Sequence, residues 1–234
     1  QYIRKGRTEM KLNNKRTILV GLAFLSICAF WQMYDSIVPL ILTKTFHMNE
    51  TFSGAIMAAD NILALFLLPF FGSVSDKSHS KLGKRMPFIL FGTGCAIILM
   101  NILPLLDNSY AAQPSGFKTA SFVIVLGLLL VAMGTYRAPA VALMPDVTPK
   151  PLRSRANAII NLMGAVGGIL YLGVAAVLYP NSKTAGLDHV NYQPLFIVVS
   201  AIMFVAVAVL FLTIREPKLT AENQALEKQH PEWN

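Results

Sequence analysis

The sequence is short of charge. Only 14% of its 234 residues are Asp, Glu, Lys or Arg, where a soluble domain carries about 25%. Hydrophobic residues make up 54%, and the mean hydropathy is +0.53. A soluble globule of this length needs far more polar surface to cover its core, so the composition excludes one and indicates an integral membrane protein. Cysteine is scarce too. Cys28 and Cys95 lie inside apolar runs, with no CxxC spacing and no neighbouring histidine, and read as small buried side chains. The four histidines, His47, His79, His189 and His230, fall in loops or the tail. There is no metal-spaced His/Cys cluster, no phosphate-binding loop and no convergent catalytic set. An enzyme is therefore not expected, and no cofactor is implied.

Acid is the scarcer charge: 12 Asp and Glu stand against 20 Lys and Arg, a net charge of +8. A basic protein invites a nucleic-acid reading, but that requires the cations on one face. Here they sit in short clusters between apolar runs, where they act as membrane-orientation signals.

What is abundant is long apolar runs. A hydrocarbon core about 30 Å thick needs about 20 apolar residues at 1.5 Å each. Six stretches meet that length: residues 17–42, 53–74, 86–106, 121–143, 156–178 and 192–214. Helix is the expected form, because an open sheet would leave backbone groups unpaired in lipid. The first run follows a basic stretch but continues too long for a removable leader and lacks a small-residue cleavage site. Pro87 stands at the start of the third run, where a missing N–H costs nothing. Pro145, Pro149 and Pro151 are expected to end the fourth. Pro39, Pro69, Pro104 and Pro139 lie within runs and mark kinks repaired by neighbours. The organisation is then a basic tail (1–16), a six-helix transmembrane bundle (17–214) and a polar tail (215–234) read as a linker.

Orientation follows from the cations. The N-terminal tail carries Arg4, Lys5, Arg7, Lys11, Lys15 and Arg16, and the second-to-third loop carries Lys77, Lys81, Lys84 and Arg85. Lys150, Arg153 and Arg155 join the fourth and fifth runs, and Arg215, Lys218 and Lys228 lie in the C-terminal tail. The other loops hold only Lys44, Lys118 and Lys183. The positive-inside rule puts the rich side and both termini in the cytoplasm, as an even number of spans also requires. A multi-pass protein of the plasma membrane is expected.

The segment after the second run reads Gly72-Ser73-Val74-Ser75-Asp76-Lys77, then Gly83-Lys84-Arg85-Met86-Pro87-Phe88. This resembles the signature loop of the major facilitator superfamily, and it lies in the matching cytoplasmic loop. The longer spacing, with Tyr136-Arg137-Ala138-Pro139, Met144-Pro145-Asp146 and Arg153-Ser154-Arg155-Ala156-Asn157-Ala158, is similar to the branch of sucrose and other glycoside–cation symporters. The resemblance covers about residues 17 to 220. It implies an all-α membrane protein, one half of a major-facilitator fold, which in the family pairs with a second six-helix bundle around a solute site. It also implies that the signature loop (Gly72, Asp76, Lys77, Gly83, Lys84 and Arg85) governs conformational switching. From the residues alone, Gly72 permits a close helix approach, Asp76 pairs with Lys77 or Arg85 or accepts from a helix N-terminus, Gly83 permits a tight turn, and Arg85 snorkels to headgroups.

Three ionisable residues lie at membrane depth, where each costs roughly 2.5–3.5 kcal/mol and needs a partner or a purpose. Asp35 and Asp60 each lie about 10 Å below the outer surface and are candidates for coupling H⁺ or Na⁺; solvation in an outer vestibule is the plainer alternative. Arg137 lies about 9 Å from the inner end of its helix. Asn157, Asn161, Gly164 and Gly168 share one face of the fifth helix, which sets Asn161 at about the depth of Arg137, as a solute-site partner or as a structural acceptor. The two glycines read as a close helix contact. Both acids lie toward the opposite surface, which leaves Arg137 without a counter-charge at its own depth. Trp31, Gln32 and Tyr34 offer rings and an amide suited to a sugar, or equally to an interfacial anchor. The resemblance thus implies cation-coupled transport of a small solute, a sugar or glycoside, by alternating access, with the chain a fragment of a longer carrier. The alternative is an inactive half-transporter, or an assembly partner, that needs a second bundle.

Overall fold

The computed structural model describes residues 11–233, so Arg4, Lys5 and Arg7 of the basic tail lie outside the described residues. Six helices are long and apolar enough to cross a membrane. They are α1 (Asn14–Leu40), which continues through a π-helical turn at Ile41–Thr45, α2 (Glu50–Asp76), α3 (Met86–Ala112), α4 (Gly116–Asp146), α5 (Arg153–Leu178) and α7 (Gln193–Thr213). A single turn, α6 (Asn181–Thr184), precedes α7, and α8 (Glu216–Gln229) follows it. Asn13, Arg16, Thr213 and Arg215 line one groove, so the start of α1 and the end of α7 share an end of the bundle; the opposite end is called the far end.

Side-chain caps set two of the starts. Asn13 Oδ1 accepts from the Arg16 N–H, and Asn49 Oδ1 from the Thr51 N–H, each at 3.0 Å, satisfying donors that a helix N-terminus leaves free. Prolines lie within α1, α2, α3 and α4 without ending them. In α1, the Thr43 hydroxyl donates to the Pro39 carbonyl at 2.8 Å, inside the π-helical turn that follows the proline. α4 ends inside the expected three-proline segment, at Asp146, with Pro145 in its last turn. α3 outruns its apolar stretch, through Asp107, Asn108 and Ser109 to Ala112, because helical hydrogen bonding does not stop where hydropathy does.

Lipid tails are as apolar as leucine, so close packing and polar contacts between helices, more than apolar burial, set the arrangement. α1 runs through the middle, packed along α5 and α7, while α3 packs on α4 and α7, and α2 lies against α4. The α1–α5 seam is narrow because small residues line it. A Cβ on Gly164 would meet Cys28 Sγ at 2.9 Å, and one on Gly167 would overlap the Leu25 carbonyl. The expected pair was Gly164 and Gly168; Gly167 takes the second place, three residues on instead of four. A buried polar knot ties α1 to α4, where the Tyr136 hydroxyl donates to the Ala23 carbonyl at 3.0 Å and meets Ser26 Oγ. α2 stands apart from this core. Of its residues only Ser53 and Ser75 are buried.

Candidate solute site and the loop network

A narrow cleft opens between α1, α2 and α4. Trp31 of α1, Asp60, Leu63 and Leu67 of α2, and Gly134 and Arg137 of α4 line it. The Arg137 guanidinium carbon lies 5.6 Å from the centre of the Trp31 ring, within range of a cation–π attraction. Trp31 is held edge-on between Phe30 and Tyr34, with ring centres 5.3 Å away on each side. Gly134 lets α2 approach; a Cβ there would stand 3.1 Å from Leu67 Cβ. The open space is about 20 Å³, room for about one water molecule. The cleft in this state admits a small ion or water, and a sugar ring must meet its rim or a wider form.

Arg137 is half-buried, and no hydrogen bond or ion pair reaches it among the described residues. The expected partner Asn161 is exposed and makes no bond to it, and Asn157 is likewise exposed. Both lie on α5, which packs against α1 and barely touches α4. The expectation that both acids lie far from Arg137 is corrected for Asp60, which lines the same cleft. Asp60 Oδ1 accepts from the backbone and side-chain amides of Asn61, at 2.6 and 2.9 Å. Gln32, next to Trp31 in the chain, and Asp35, one turn further along α1, are both exposed. Tyr34 is fully buried behind Trp31, so it steadies that ring and does not present itself to a solute.

The signature loop forms a second, separate constellation at the end shared by the termini. Arg85, expected to reach for headgroups, is instead buried, at 6% exposure. Its Nε donates to Asp146 Oδ2 at 2.8 Å, Nη1 to Ser75 Oγ at 2.5 Å and Nη2 to Asp76 Oδ1. One side chain thus joins the ends of α2 and α4 to the start of α3. Burial works to lower the proton affinity of the guanidinium, and the carboxylates of Asp146 and Asp76 outweigh it, so the net shift is upward. Gly72 does not serve a close helix approach, since a Cβ there would meet nothing within 4 Å. Its carbonyl accepts from Ser75 Oγ and lies 3.4 Å from Arg85 Nη1. Lys77 and the Lys84 side chain are exposed.

Sequence reasoning missed the residue that completes this network. Glu216, the second residue of a tail read as a linker, begins α8 and is 2% exposed. Its carboxylate accepts from the N–H groups of Lys84 (2.7 Å), Arg85 (2.9 Å) and Met86 (2.8 Å), capping α3. Burial pushes the Glu216 carboxyl up from its ordinary value, against the pull of these three N–H groups. Gly83 has φ +112°, and a Cβ there would overlap the Glu216 carboxylate, so the position needs glycine for both conformation and space. Asn223 Nδ2 donates to the Asp146 carbonyl at 3.2 Å and Arg153 pairs with Glu227 at 2.9 Å, so the polar tail is a helix docked on the bundle. The signal available in the sequence was Arg215-Glu216-Pro217, an acid and a proline at a helix start.

Six membrane-length helices, a half-buried cation in a mostly apolar cleft and an arginine-centred loop together describe a membrane-spanning helical bundle with the expected signature loop. Comparison with known proteins agrees. The family model described as Major Facilitator Superfamily matches residues 20–233, and the chain belongs to that superfamily. A sucrose transport protein of Arabidopsis thaliana is 35% identical over 158 residues, 62% of this chain and 26% of the relative. One from Oryza sativa subsp. indica is 36% identical over 154 residues, 60% of this chain and 30% of the relative. Solute carrier family 45 member 3 of Homo sapiens is 25% identical over 186 residues, 78% of this chain and 34% of the relative. The matched stretch therefore spans about a quarter to a third of these relatives' own length.

Proposed function

We propose that the chain supplies the solute-binding half of a sugar carrier that works by alternating access. The observation that carries this reading is Arg137. A cation at membrane depth is costly and marks a pathway, and this one rests on an aromatic ring with its donors uncommitted among the described residues. A guanidinium offers five N–H donors in a fixed fork, which suits vicinal hydroxyls, and the Trp31 face beside it suits a sugar ring. Similarity to sucrose transport proteins supports a sugar as the solute class. Asp60 in the cleft and Asp35 on the exposed face of α1 are the proposed coupling acids for H⁺ or Na⁺. Exposed Asn157, Asn161 and Gln32 are proposed as further solute contacts on the surface that faces a second bundle. The basic end is proposed to be cytoplasmic and the site of action the plasma membrane.

A second reading is favoured by α2. Its middle buries nothing, and Ile62, Leu65, Phe66 and Phe70 are all more than half exposed. In a membrane this apolar face meets either lipid or another helical unit, and the second case fits a chain that is inactive until another six-helix unit docks. Labelled sucrose uptake into vesicles, with the chain alone and co-expressed with the complementary half of a relative, separates the two. Uptake by the chain alone supports autonomous transport, uptake only by the pair supports the half-transporter, and uptake by neither rejects the sugar assignment.

A further inference from the structure

The far end of the bundle holds a charge that neither the cleft nor the loop network uses. Asp107 lies on α3, five residues before Ala112 ends it. It is fully buried, and no hydrogen bond of ordinary geometry reaches either carboxylate oxygen among the described residues; the Thr45 hydroxyl is the nearest donor. Facing it is His189, from the segment between α6 and α7, with Nδ1 4.0 Å from Asp107 Oδ1.

The surrounding hydrogen bonds dictate which ring nitrogen carries hydrogen. The Gln193 backbone N–H donates to Asn191 Oδ1 at 2.9 Å, so that atom is an acceptor. The Asn108 group that meets it, at 2.9 Å, is therefore the amide Nδ2. This turns Asn108 Oδ1 toward His189 Nε2, 2.9 Å away. A carbonyl oxygen only accepts, so Nε2 bears the hydrogen and Nδ1 of the neutral ring is a bare lone pair. Thr45 Oγ1, on the π-helical turn and 3.2 Å away, donates to it. The same hydroxyl also lies within reach of Asp107, so a lone pair and a buried carboxylate share a single hydroxyl hydrogen that can satisfy only one of them, an unfavourable arrangement. One proton on Nδ1 removes the fault. Both ring nitrogens become donors, the carboxylate gains a counter-charge, and the Thr45 hydroxyl is released to rotate toward an acceptor.

We infer that Asp107, His189 and Thr45 form a proton-binding site separate from the solute cleft, and that the bound proton ties the segment between α6 and α7 to the end of α3. A metal ion suits the place less well. Zinc takes three or four strong ligands, and the site offers one imidazole, one carboxylate and a neutral hydroxyl. Other charged or titratable groups surround it without bonding Asp107. Lys44 and Asp188 are exposed and share a neighbouring cavity with Thr45 and Tyr192. His47 is exposed beyond the π-helical turn. Tyr110 of α3 packs on Phe46 at 4.4 Å, Lys118 of α4 donates to the Ser109 and Gln113 carbonyls at 2.8 Å, and the Tyr179 hydroxyl of α5 donates to the Asn191 carbonyl at 2.8 Å.

The test is the thermal midpoint of the purified chain in detergent, compared at about pH 8 and about pH 5.5, the range in which histidine changes charge. The difference between the two pH values in wild type should exceed that in His189→Gln by about 2–4 °C. Asp107→Asn should lose the same increment, and the double variant should lose no more than either single one. If Asp107→Asn fails to fold, the His189→Gln arm still decides. Corrected amide exchange across residues 185–192 supplies a second readout, and should slow about tenfold in acid in wild type only. An unchanged pH difference in His189→Gln overturns the proposal. So does stabilisation of wild type by zinc at about pH 8 without any effect of acid.

Discussion

Two arginines of this chain sit at helix positions near the same end of the bundle and are treated in opposite ways. Arg85 is almost fully enclosed and spends its donors on Asp76, Asp146 and Ser75. Arg137 is half-buried, one helix away, and meets an aromatic face in place of a carboxylate. A buried cation matched by fixed partners holds a structure together, and breaking the match is costly. A cation left with donors to offer is poised for something that arrives. The difference supports the proposal that Arg85 serves the architecture of the loop and Arg137 a ligand, and each role makes distinct demands on variants.

The largest expected effect tests Arg85. Arg85→Ala leaves two carboxylates facing one another's charge and removes the link between three helix ends. Because Asp76 is 61% exposed, water recovers part of the loss, and we expect about 3 kcal/mol of destabilisation, read as reduced yield and a lower thermal midpoint. Arg137→Ala in the same assay should cost less than about 1 kcal/mol of stability. Equal losses would erase the distinction. Next comes Gly83→Ala, which forces a Cβ into a positive φ and into the Glu216 carboxylate; about 2 kcal/mol should be lost, checked by denaturation of purified protein. Glu216→Gln keeps the size but offers an amide where three N–H groups require an acceptor, and should cost about 1–2 kcal/mol. A neutral result there would show that α8 is not fastened through this cap. The smallest effect sharpens the other side of the comparison. Trp31→Leu removes the ring under Arg137 and should weaken sucrose binding in a titration about fivefold, with a modest fall in the thermal midpoint because the ring's packing on Phe30 and Tyr34 is lost as well.

The six spans were legible in the sequence because lipid demands long apolar helices and nothing else in the chain mimics them. The loop was legible as a motif, but not its wiring. That Asp76 meets Arg85 was one of several pairings open to it, and Glu216 was invisible because its partners lie more than a hundred residues away. The same holds at the far end, where hydropathy cut the third span before Asp107 and so hid the most enclosed carboxylate at helix depth. In the cleft, the helical wheel of α5 put Asn157 and Asn161 on one face correctly as geometry. Which neighbour that face meets depends on tertiary packing, and α5 packs on α1 through its small residues instead of turning its amides to Arg137.

The central claim is that Arg137 serves a solute and not the fold. Its most direct test is labelled sucrose uptake by vesicles carrying the Arg137→Lys variant, in whichever assembly supports uptake by wild type, at matched protein level and with the thermal midpoint measured alongside. An ammonium keeps the charge but lacks the planar fork. The account predicts that uptake falls by about tenfold or more, the loss of roughly 1.4 kcal/mol or more of charge-assisted hydrogen bonding, with the midpoint unchanged. Full uptake by the lysine variant, or a loss of uptake matched by a loss of stability, would contradict it.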